Sequence, residues 1–226
     1  MFPVDKYFAE LLGAFAGDGW MSKGNSGISL FISGNPKDER DYYDKRIKFL
    51  FKKVFRKEVF PREFSYWGTY GICVGNKGIT KEFISAGMIV GKKAHKVTVP
   101  EEIILNHFLY TSFIRGLFDT DGCIYFTKSY NKNASKWQKL TKHKPIITFK
   151  TVSFCLASQL KKLLKNCGVE SGLRKSLPYN GNYASYELRI EGKKKAKMFF
   201  KVIKPKSIKH LAKFNLWLSQ GFYSIS

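Results

Sequence analysis

Two aspartates in closely similar surroundings are the residues best suited to do chemistry. Asp18 lies near the end of residues 11–19 (LLGAFAGDG), and Asp121 lies near the end of residues 114–122 (IRGLFDTDG). Each Asp is followed by a glycine, which typically ends a helix, so both carboxylates are predicted at negatively polarised helix C-termini. Two anions at such ends favour a cation between them, and an oxygen-binding divalent ion such as Mg²⁺ fits best.

Backbone oxygens next to these aspartates could complete such a metal site. The last turn of a helix leaves its carbonyls without helical partners. We therefore expect the carbonyls of Gly17 and Thr120 to join the ligands supplied by Asp18 and Asp121.

The two motif segments must be positioned by helices that pack on each other. Apolar residues recur on one face of both segments, and glycines stand inside them at a cost of about 1 kcal/mol each relative to alanine. Gly13 and Gly116 occupy matching positions, and small residues at helical spacing allow two backbones to approach closely. The sequence thus predicts a pseudo-two-fold contact between the motif helices.

Internal similarity extends beyond the motifs and predicts an α+β fold of two αββαββα halves, residues 1–99 and 100–226. Residues 27–33 resemble residues 145–151, both alternating strand-like runs. The predicted elements of the first half are helix 5–17, strands 20–24 and 27–33, helix 39–56, strands 62–67 and 70–75, and helix 78–89. Those of the second half are helix 107–120, strands 123–128 and 145–151, helix 154–167, strands 172–177 and 183–190, and helices 193–203 and 207–220. The junction at residues 96–102 is short and extended, which favours packed halves over tethered ones.

The charge balance points to an anionic partner. Forty Lys and Arg against 17 Asp and Glu give a formal net charge of +23. Nucleic acid is the first candidate partner and an anionic membrane surface the second. No uninterrupted apolar run is long enough to span a membrane, and the N-terminus is not typical of a signal peptide. The four scattered cysteines favour neither a disulfide scaffold nor a zinc site and are expected to be reduced, as in a cytoplasmic protein.

Both motifs resemble the paired motifs of the LAGLIDADG homing endonucleases in their single-chain, pseudo-symmetric form. Residues 113–122 are the more specific match and residues 12–19 the weaker one. The resemblance implies two four-stranded antiparallel sheets that form a saddle over the DNA major groove. It further implies Mg²⁺-dependent cleavage of both strands at a long asymmetric site, leaving short 3′ overhangs. In such enzymes the last acid of each motif, here Asp18 and Asp121, ligates metal and activates water.

The resemblance also implies a basic residue beside each metal-binding acid, which would stabilise charge on the phosphate. Matching the segments predicts Lys93 in the first half and Lys206 in the second, with Lys150 and Lys209 as alternatives. Mn²⁺ is expected to replace Mg²⁺, and Ca²⁺ to allow binding without cleavage. Asp119 is replaced by Ala16 in the first motif, so we expect Asp119 to be structural.

By the same resemblance the protein is expected to act on double-stranded DNA inside the cell, as a monomer. The chain carries no flanking splice-like segments, which favours a stand-alone or intron-encoded reading frame over an intein.

Candidate DNA contacts lie on strands and in one basic loop. Alternation places Tyr183, Ser185, Glu187 and Arg189 on one face of a strand, and Arg62, Phe64 and Tyr66 on one face of another. Residues 129–144 mix lysines with aromatic and amide side chains and are interpreted as a long hairpin tip along the DNA. The predicted DNA contacts are Arg62, Tyr66, Lys132, Lys136, Trp137, Lys139, Lys150, Arg189 and Lys209.

Two other functions stay open. The same fold could serve an RNA-splicing maturase that binds intron RNA, or a DNA-binding protein that has lost cleavage. A second enzyme class follows from residues 117–122 (LFDTDG), which mimic the signature of haloacid-dehalogenase-type phosphatases. That chemistry would need Asp119 as a nucleophile leaving a strand, whereas its surroundings predict a helix.

Overall fold

The computed structural model describes residues 3–177 and 184–224, and both halves follow the predicted order of elements. In the first half a π-helical segment, Tyr42–Ile47, runs into helix α2. The elements of the first half are α1 (Lys6–Asp18), β1 (Gly19–Gly24), β2 (Gly27–Gly34), α2 (Lys48–Phe55), β3 (Arg62–Phe64), β4 (Thr69–Val74) and α3 (Lys77–Ser85).

The second half repeats this order with additions at its start, inside its first hairpin and at its end. A 3₁₀ turn at His107–Leu109 precedes its motif helix. The elements of the second half are α4 (Glu101–Leu105), α5 (Tyr110–Asp121), β5 (Gly122–Thr127), α6 (Lys136–Leu140), β6 (Lys144–Thr151), α7 (Phe154–Asn166), β7 (Gly172–Ser176), β8 (Ser185–Glu191), α8 (Lys193–Ile203) and α9 (Ile208–Gln220). The predicted strand 183–190 is thus seen from Ser185, and Tyr183 lies outside the described residues.

Each half contains a four-stranded antiparallel sheet, in the orders β1-β2-β4-β3 and β5-β6-β8-β7. One face of each sheet packs on the helices, with Leu30 and Ile32 fully buried on it in the first half. We call the opposite face of each sheet its open face. The predicted α+β fold with two pseudo-symmetric sheets is confirmed.

The register corrects the predicted match between the two β-hairpins by one residue. Gly19 pairs with Ile32 in the first sheet, and Gly122 pairs with Phe149 in the second. The structural partner of Phe31 is therefore Thr148, whereas the similarity of residues 27–33 to 145–151 aligned Phe31 with Phe149. A shift of one residue exchanges the two faces of a strand. The sequence alignment therefore assigned Phe31 and Phe149 to the same face of their sheets, whereas the structure places them on opposite faces.

Helices α1 and α5 form the centre of the molecule, as predicted. A Cβ at Gly13 would collide with the carbonyl oxygen of Phe113, and a Cβ at Gly116 would collide with that of Glu10. The two contacts are related by the pseudo-two-fold axis. The glycines are therefore needed for the close approach of the two backbones, which offsets their poor helix propensity.

A buried ion network links the halves beside this contact. The Glu10 carboxylate accepts two hydrogen bonds of 2.6 Å from the Arg46 guanidinium and one of 2.9 Å from Arg115 Nη1. Arg115 also donates to the Ile203 carbonyl. Near the junction, the Ser153 hydroxyl donates to the Val97 carbonyl and the Val99 N–H to the Gln159 side chain. The junction is thus packed against the second half, while the exact boundary at residue 99 stays a prediction.

The loop at residues 129–144 is folded rather than a simple hairpin tip. Ser135 and Gln138 form a capping box that begins α6. The Trp217 indole donates to the His143 carbonyl and the Tyr223 N–H to the Lys142 carbonyl. These bonds hold the loop against the C-terminal segment, which the sequence pattern did not reveal.

The remaining global features concern cysteines and membranes. Cys73, Cys123, Cys155 and Cys167 are free thiols. Across residues 3–177 and 184–224, no helix has the length and apolar character needed to cross a membrane.

Candidate active site

Asp18 and Asp121 are the last residues of α1 and α5, and strands β1 and β5 start at the next residue of each. The glycines after them allow this abrupt change of direction, because a Cβ at Gly19 or Gly122 would collide with the ring of Phe15 or Phe118. The packing of α1 on α5 brings the two helix ends together. We call Asp18 and Asp121 the carboxylate pair.

The two acids of the carboxylate pair lie close together, since a Cβ added at Gly17, next to Asp18, would come within 3.2 Å of Asp121 Cβ. Burial and the nearby Asp121 charge raise the pKa of Asp18 to about 7. Desolvation by the surrounding chain also raises the pKa of Asp121, although its side chain is open to solvent on one side, and Lys93 opposes that shift. The Tyr43 hydroxyl donates a hydrogen bond of 3.0 Å to Asp18 Oδ2 and holds this carboxylate in place.

A third carboxylate, Glu39, lies beside Asp18 and was missed by sequence reasoning. It is buried, accepts a 2.6 Å hydrogen bond from the Asn35 N–H, and forms an ion pair with Lys209 of the other half. A Cβ at Gly34 would collide with Glu39 and come within 2.9 Å of Asp18 Oδ2, so glycine makes room for both acids. The available signal was an acid placed just after the Gly34-Asn35-Pro36 turn.

Lys93 lies where the resemblance predicted a basic residue, at the end of α1. Its ammonium donates to the carbonyls of Phe15, Ala16 and Gly17 at 2.5, 2.7 and 2.7 Å. This cation neutralises the negative end of the helix. Burial lowers the pKa of Lys93 to about 8, and the two aspartates oppose that shift.

The Gly17 carbonyl, predicted as a metal ligand, accepts a hydrogen bond from Lys93, and its metal-ligand role stays a prediction. Thr120 is buried, and its hydroxyl donates to the carbonyls of Gly116 and Leu117. The Thr120 side chain also packs against the space above Gly17. The metal-ligand role proposed for the Thr120 carbonyl stays a prediction.

Lys206 lies elsewhere than predicted. Its side chain lines a cavity of about 400 Å³ together with Tyr7, Glu10 and Arg115, near the starts of α1 and α5. These are the ends opposite the carboxylate pair. Lys209, one helical turn further on, instead reaches Glu39 and acts electrostatically on both Asp18 and Asp121. Lys209, named as an alternative, is thus the lysine of the second half that lies beside the two aspartates, while the catalytic roles of Lys206 and Lys209 stay predictions.

Asp119 has a structural role, as expected. It is fully buried and accepts hydrogen bonds from the backbone N–H groups of Lys206 and Ser207, just before α9. Burial raises its pKa to about 7 in spite of these bonds. Because Asp119 lies inside a helix with its oxygens occupied, the phosphatase interpretation is contradicted.

A cavity of about 340 Å³ opens between the carboxylate pair and the second sheet. It is lined by Lys93, Asp121 and Lys150 and, among other residues, by Ala16, Gly17, Thr151 and Ser185. Lys150 is exposed at its rim. The cavity combines two cations with one acid of the pair, which suits a phosphate flanked by a metal ion.

The acids fit a hard divalent cation that is shared with a substrate. Within the described residues, no group of three or more His, Cys, Asp and Glu side chains could hold a metal ion by itself. Mg²⁺ typically binds one or two carboxylates and keeps other positions for water and substrate phosphates. Asp18 and Asp121 match that donor set.

Among the predicted DNA contacts, Arg62, Lys150 and Arg189 lie on the open faces of the sheets, and their role in binding stays a prediction. Arg62 is exposed on β3 and its guanidinium lies 5.4 Å from the centre of the Phe64 ring. Because β3 ends at Phe64, Tyr66 lies in the following turn and is 94% exposed. Arg189 donates to Glu187 and Glu191 on β8.

The lysines of the folded loop are exposed, and Trp137 is only partly so. Lys139 donates to the Lys132 carbonyl, and Lys136 opens α6. The ring of Trp137 packs on His143 and under the ammonium of Lys193. Trp137 therefore stabilises the loop as well as bordering the surface.

Comparisons with known proteins agree with this architecture. Residues 109–204 match the family model of the LAGLIDADG-like domain. The chain is 28% identical over 198 residues to the replication factor C small subunit of Methanocaldococcus jannaschii; the match covers 82% of this chain and 10% of that protein. The chain thus spans about a tenth of the length of this curated relative.

Two solved structures share the fold over most of both chains. The homing endonuclease I-DmoI, in complex with DNA and Ca, has a TM-score of 0.61 and 16% identity, with 93% of this chain and 97% of that chain covered. The N-terminal LAGLIDADG domain of DUF199/WhiA has a TM-score of 0.53 and 16% identity, with 91% and 86% covered. Residues 109–204 therefore match the LAGLIDADG-like domain, and the chain as a whole shares the fold of these LAGLIDADG structures, as the resemblance of the two motifs predicted.

Proposed function

We propose that this protein is a site-specific DNA endonuclease that makes metal-dependent double-strand breaks at a long asymmetric site. The observation that carries the proposal is the carboxylate pair, with one acid from each half at the junction of α1 and α5 and one lysine beside each acid. Removing two clustered anions would improve a surface that only binds phosphates. Their retention therefore favours cleavage over binding alone.

The structural neighbours support DNA as the substrate and a divalent metal as the cofactor. I-DmoI structures include complexes with its target DNA in the presence of Mn or Mg, and a complex with DNA and Ca. For this chain we propose double-stranded genomic DNA as the partner, Mg²⁺ as the natural metal, Mn²⁺ as a substitute, and Ca²⁺ as a metal that supports binding only. We further propose that the protein acts as a monomer.

In the proposed mechanism Asp18 and Asp121 would hold the divalent ion. When bound, the ion would supply Lewis acidity and a water of lowered pKa. Tyr43 orients Asp18, while Lys93 and Lys209 offer positive charge to the phosphate oxygens as negative charge develops there. With a pKa of about 8, Lys93 stays mainly protonated at neutral pH and is able to give up a proton.

The test begins with selection of binders from a random duplex DNA pool in Ca²⁺, followed by addition of Mg²⁺. Wild type is expected to enrich one long motif and to cut it, whereas Asp121→Asn enriches the same motif without cutting both strands. Binding by both proteins without cleavage by either would contradict the proposal. It would favour a DNA-binding protein on the same scaffold, for which the DUF199/WhiA likeness is the relevant observation.

A matched pair of lysine variants tests the reassignment from Lys206 to Lys209. Lys209→Met is expected to lower the cleavage rate at least about a hundredfold, the scale of losing one charge-stabilising group. Lys206→Met is expected to retain most of the rate. The reverse order would restore the role first predicted for Lys206.

If no duplex motif is enriched, folded intron RNA is the next ligand to test. Tight RNA binding without DNA cleavage would support the maturase alternative.

A further inference from the structure

The two open faces differ in the row of side chains just outside the one that holds Lys150 and Glu187, which lies nearest the carboxylate pair in the second half. The row in which they differ is reached two residues beyond each aspartate, about 7 Å along the strand. We call these positions the inner row. Strand pairing defines its matched members as Trp20, Phe31 and Cys73 in the first half and Cys123, Thr148 and Arg189 in the second.

The inner row of the first half is an aromatic plate. The rings of Trp20 and Phe31 stack with centroids 4.8 Å apart and planes 3° apart. Trp67, in the turn after β3, makes edge-on contacts with both rings, with centroid distances of 5.2 Å to Trp20 and 5.6 Å to Phe31. Its side chain is 49% exposed. Since aromatic packing locks these rings together, they form a rigid apolar surface.

The inner row of the second half is polar and charged. Arg189 Nε donates to Glu191 at 2.9 Å and Arg189 Nη1 donates to Glu187 at 3.2 Å. The Arg189 Nη2 donors have no partner among the described residues. Thr148 is paired with Arg189 across the sheet and offers a hydroxyl at the position of Phe31.

In this plate Trp67 is exposed, while Trp20 and Phe31 are half-buried, and a solvent-accessible aromatic cluster of this kind is typical of a binding site. The strand that carries Trp20 leaves directly from Asp18, so whatever the carboxylate pair acts on must continue over this plate. The cationic Arg62 guanidinium borders it at Phe64, and the chain carries a net charge of +23. A DNA duplex fits both the positive charge and the aromatic plate, because its phosphates can contact the cations while its groove floor contacts the plate.

We propose that the base pairs next to the cut under the first half are read through the C5-methyl groups of thymine. The thymine methyl is the apolar group that base pairs present in the major groove. The matching base pairs under the second half are read through hydrogen bonds from Arg189. This inference rests on the proposed endonuclease function and adds the kind of sequence that each half prefers.

In the next row of open-face positions, further from the carboxylate pair, the first half is the polar one. There the first half carries Ser22 and Ser29, whereas the second half carries Tyr125 and Ile146 at the matched positions. Because Ile146 is buried, this outer row gives no matching apolar surface in the second half, and the expected thymine preference is limited to the base pairs next to the cut under the first half.

The test uses the DNA target enriched in Ca²⁺, with deoxyuridine replacing thymine one position at a time. Deoxyuridine pairs like thymine but lacks the methyl group. Wild type is expected to bind about fourfold more weakly for each contacted methyl that is removed next to the cut on one side. The matched positions on the other side are expected to show no change.

Two protein variants assign this effect to the plate. In Trp20→Ala the penalty for deoxyuridine is expected to disappear on that side, whereas in Cys123→Ala, the matched position of the second half, it is expected to persist. A target without thymine at those positions, or an equal penalty on both sides in wild type, overturns the inference while leaving cleavage intact. Failure to enrich any duplex motif would instead remove the proposed function, and the inference with it.

Discussion

At the scale of single residues, the candidate site concentrates charge where the fold is least able to tolerate it. Asp18 lies at a helix C-terminus, close to Asp121 and Glu39, and its pKa is raised to about 7 by burial and by these neighbours. Without a metal ion this arrangement costs folding energy, as expected of a site built for binding a cation.

Replacing Asp18 by asparagine should stabilise the metal-free protein. The folded-state pKa of Asp18 is above its unfolded value of about 4. The folded protein therefore binds this proton more tightly, and its stability falls as the pH rises from about 4 to about 7. The free energy of unfolding of Asp18→Asn should therefore exceed that of wild type, by a difference that grows over this pH range to a few kcal/mol. Urea unfolding in the presence of a chelator measures this difference.

The exposed Asp38→Asn is the control, for which no such pH-dependent gain is expected. An advantage of Asp18→Asn that is equal at pH 4.5 and pH 7.5 would contradict the raised pKa.

At the scale of elements, the glycines of α1 and α5 decide whether the two halves can meet. Gly13 faces the Phe113 carbonyl and Gly116 the Glu10 carbonyl, both of them rigid backbone atoms. Since backbone cannot rotate away as a side chain can, an added methyl group must separate the helices.

Gly116→Ala should therefore destabilise the protein by about 1–3 kcal/mol, although alanine is intrinsically better than glycine in a helix by about 1 kcal/mol. Cleavage should fall further than stability alone explains, because separating α1 from α5 separates the carboxylate pair. Gly24→Ala in β1 is the control, since its Cβ would meet its nearest neighbour at 3.9 Å. Equal unfolding free energies for the two variants would refute the close-contact explanation.

Helix α9 contains a buried histidine that should make stability depend on acid. The His210 ring packs 4.5 Å from the Phe118 ring, and its nitrogens lack well-formed hydrogen bonds within the described residues. Burial, with Lys209 and Lys213, lowers its pKa to about 3, and only the Phe118 backbone opposes the shift. As the pH falls, the His210 ring is protonated in the unfolded chain before it is protonated in the folded protein. The folded protein is therefore most stable, as far as His210 is concerned, above about pH 6.5, and it loses this stability as the pH falls towards 3.

His210→Leu should remove that part of the acid sensitivity. The variant is expected to match or exceed wild-type stability, with its largest advantage at pH 4, as measured by denaturant unfolding at pH 4, 5.5 and 7. An advantage that does not grow at low pH would show that His210 is not buried in its neutral form.

At the scale of the whole molecule, charge and pseudo-symmetry act together. The chain carries a net charge of +23, and its two sheets lie on either side of one central helix pair. The buried Glu10 carboxylate, bound by Arg46 and Arg115, holds the halves in one orientation. The chain therefore combines a large excess of positive charge with two halves that are fixed relative to each other.

Binding to duplex DNA should consequently depend steeply on salt. With about ten phosphate contacts, the slope of log K against log salt concentration is expected to be about −9. Measurement by fluorescence anisotropy in Ca²⁺ over a range of KCl concentrations checks this value. A slope shallower than about −3 would contradict a duplex lying across both sheets.

The sequence by itself determined the order of the helices and strands that the two halves share, the repeat and the carboxylate pair. These depend on local patterns: apolar periodicity, the Asp-Gly helix ends, and glycines at matching helical positions. The predicted helix 193–203 and the final helix agree with α8 and α9 to within one residue at each end. The packing of α1 on α5 also followed, because small residues at helical spacing serve few other purposes.

The tertiary structure alone decided which distant residues complete the site. Lys209 rather than Lys206 reaches the centre because Asp119 holds the start of α9 in place. Glu39 joins Asp18 because Gly34 leaves room for both acids. The one-residue shift between Phe31 and its partner Thr148 likewise appears only in the strand pairing. In each case the outcome depends on how segments far apart in the chain converge, which no local pattern encodes.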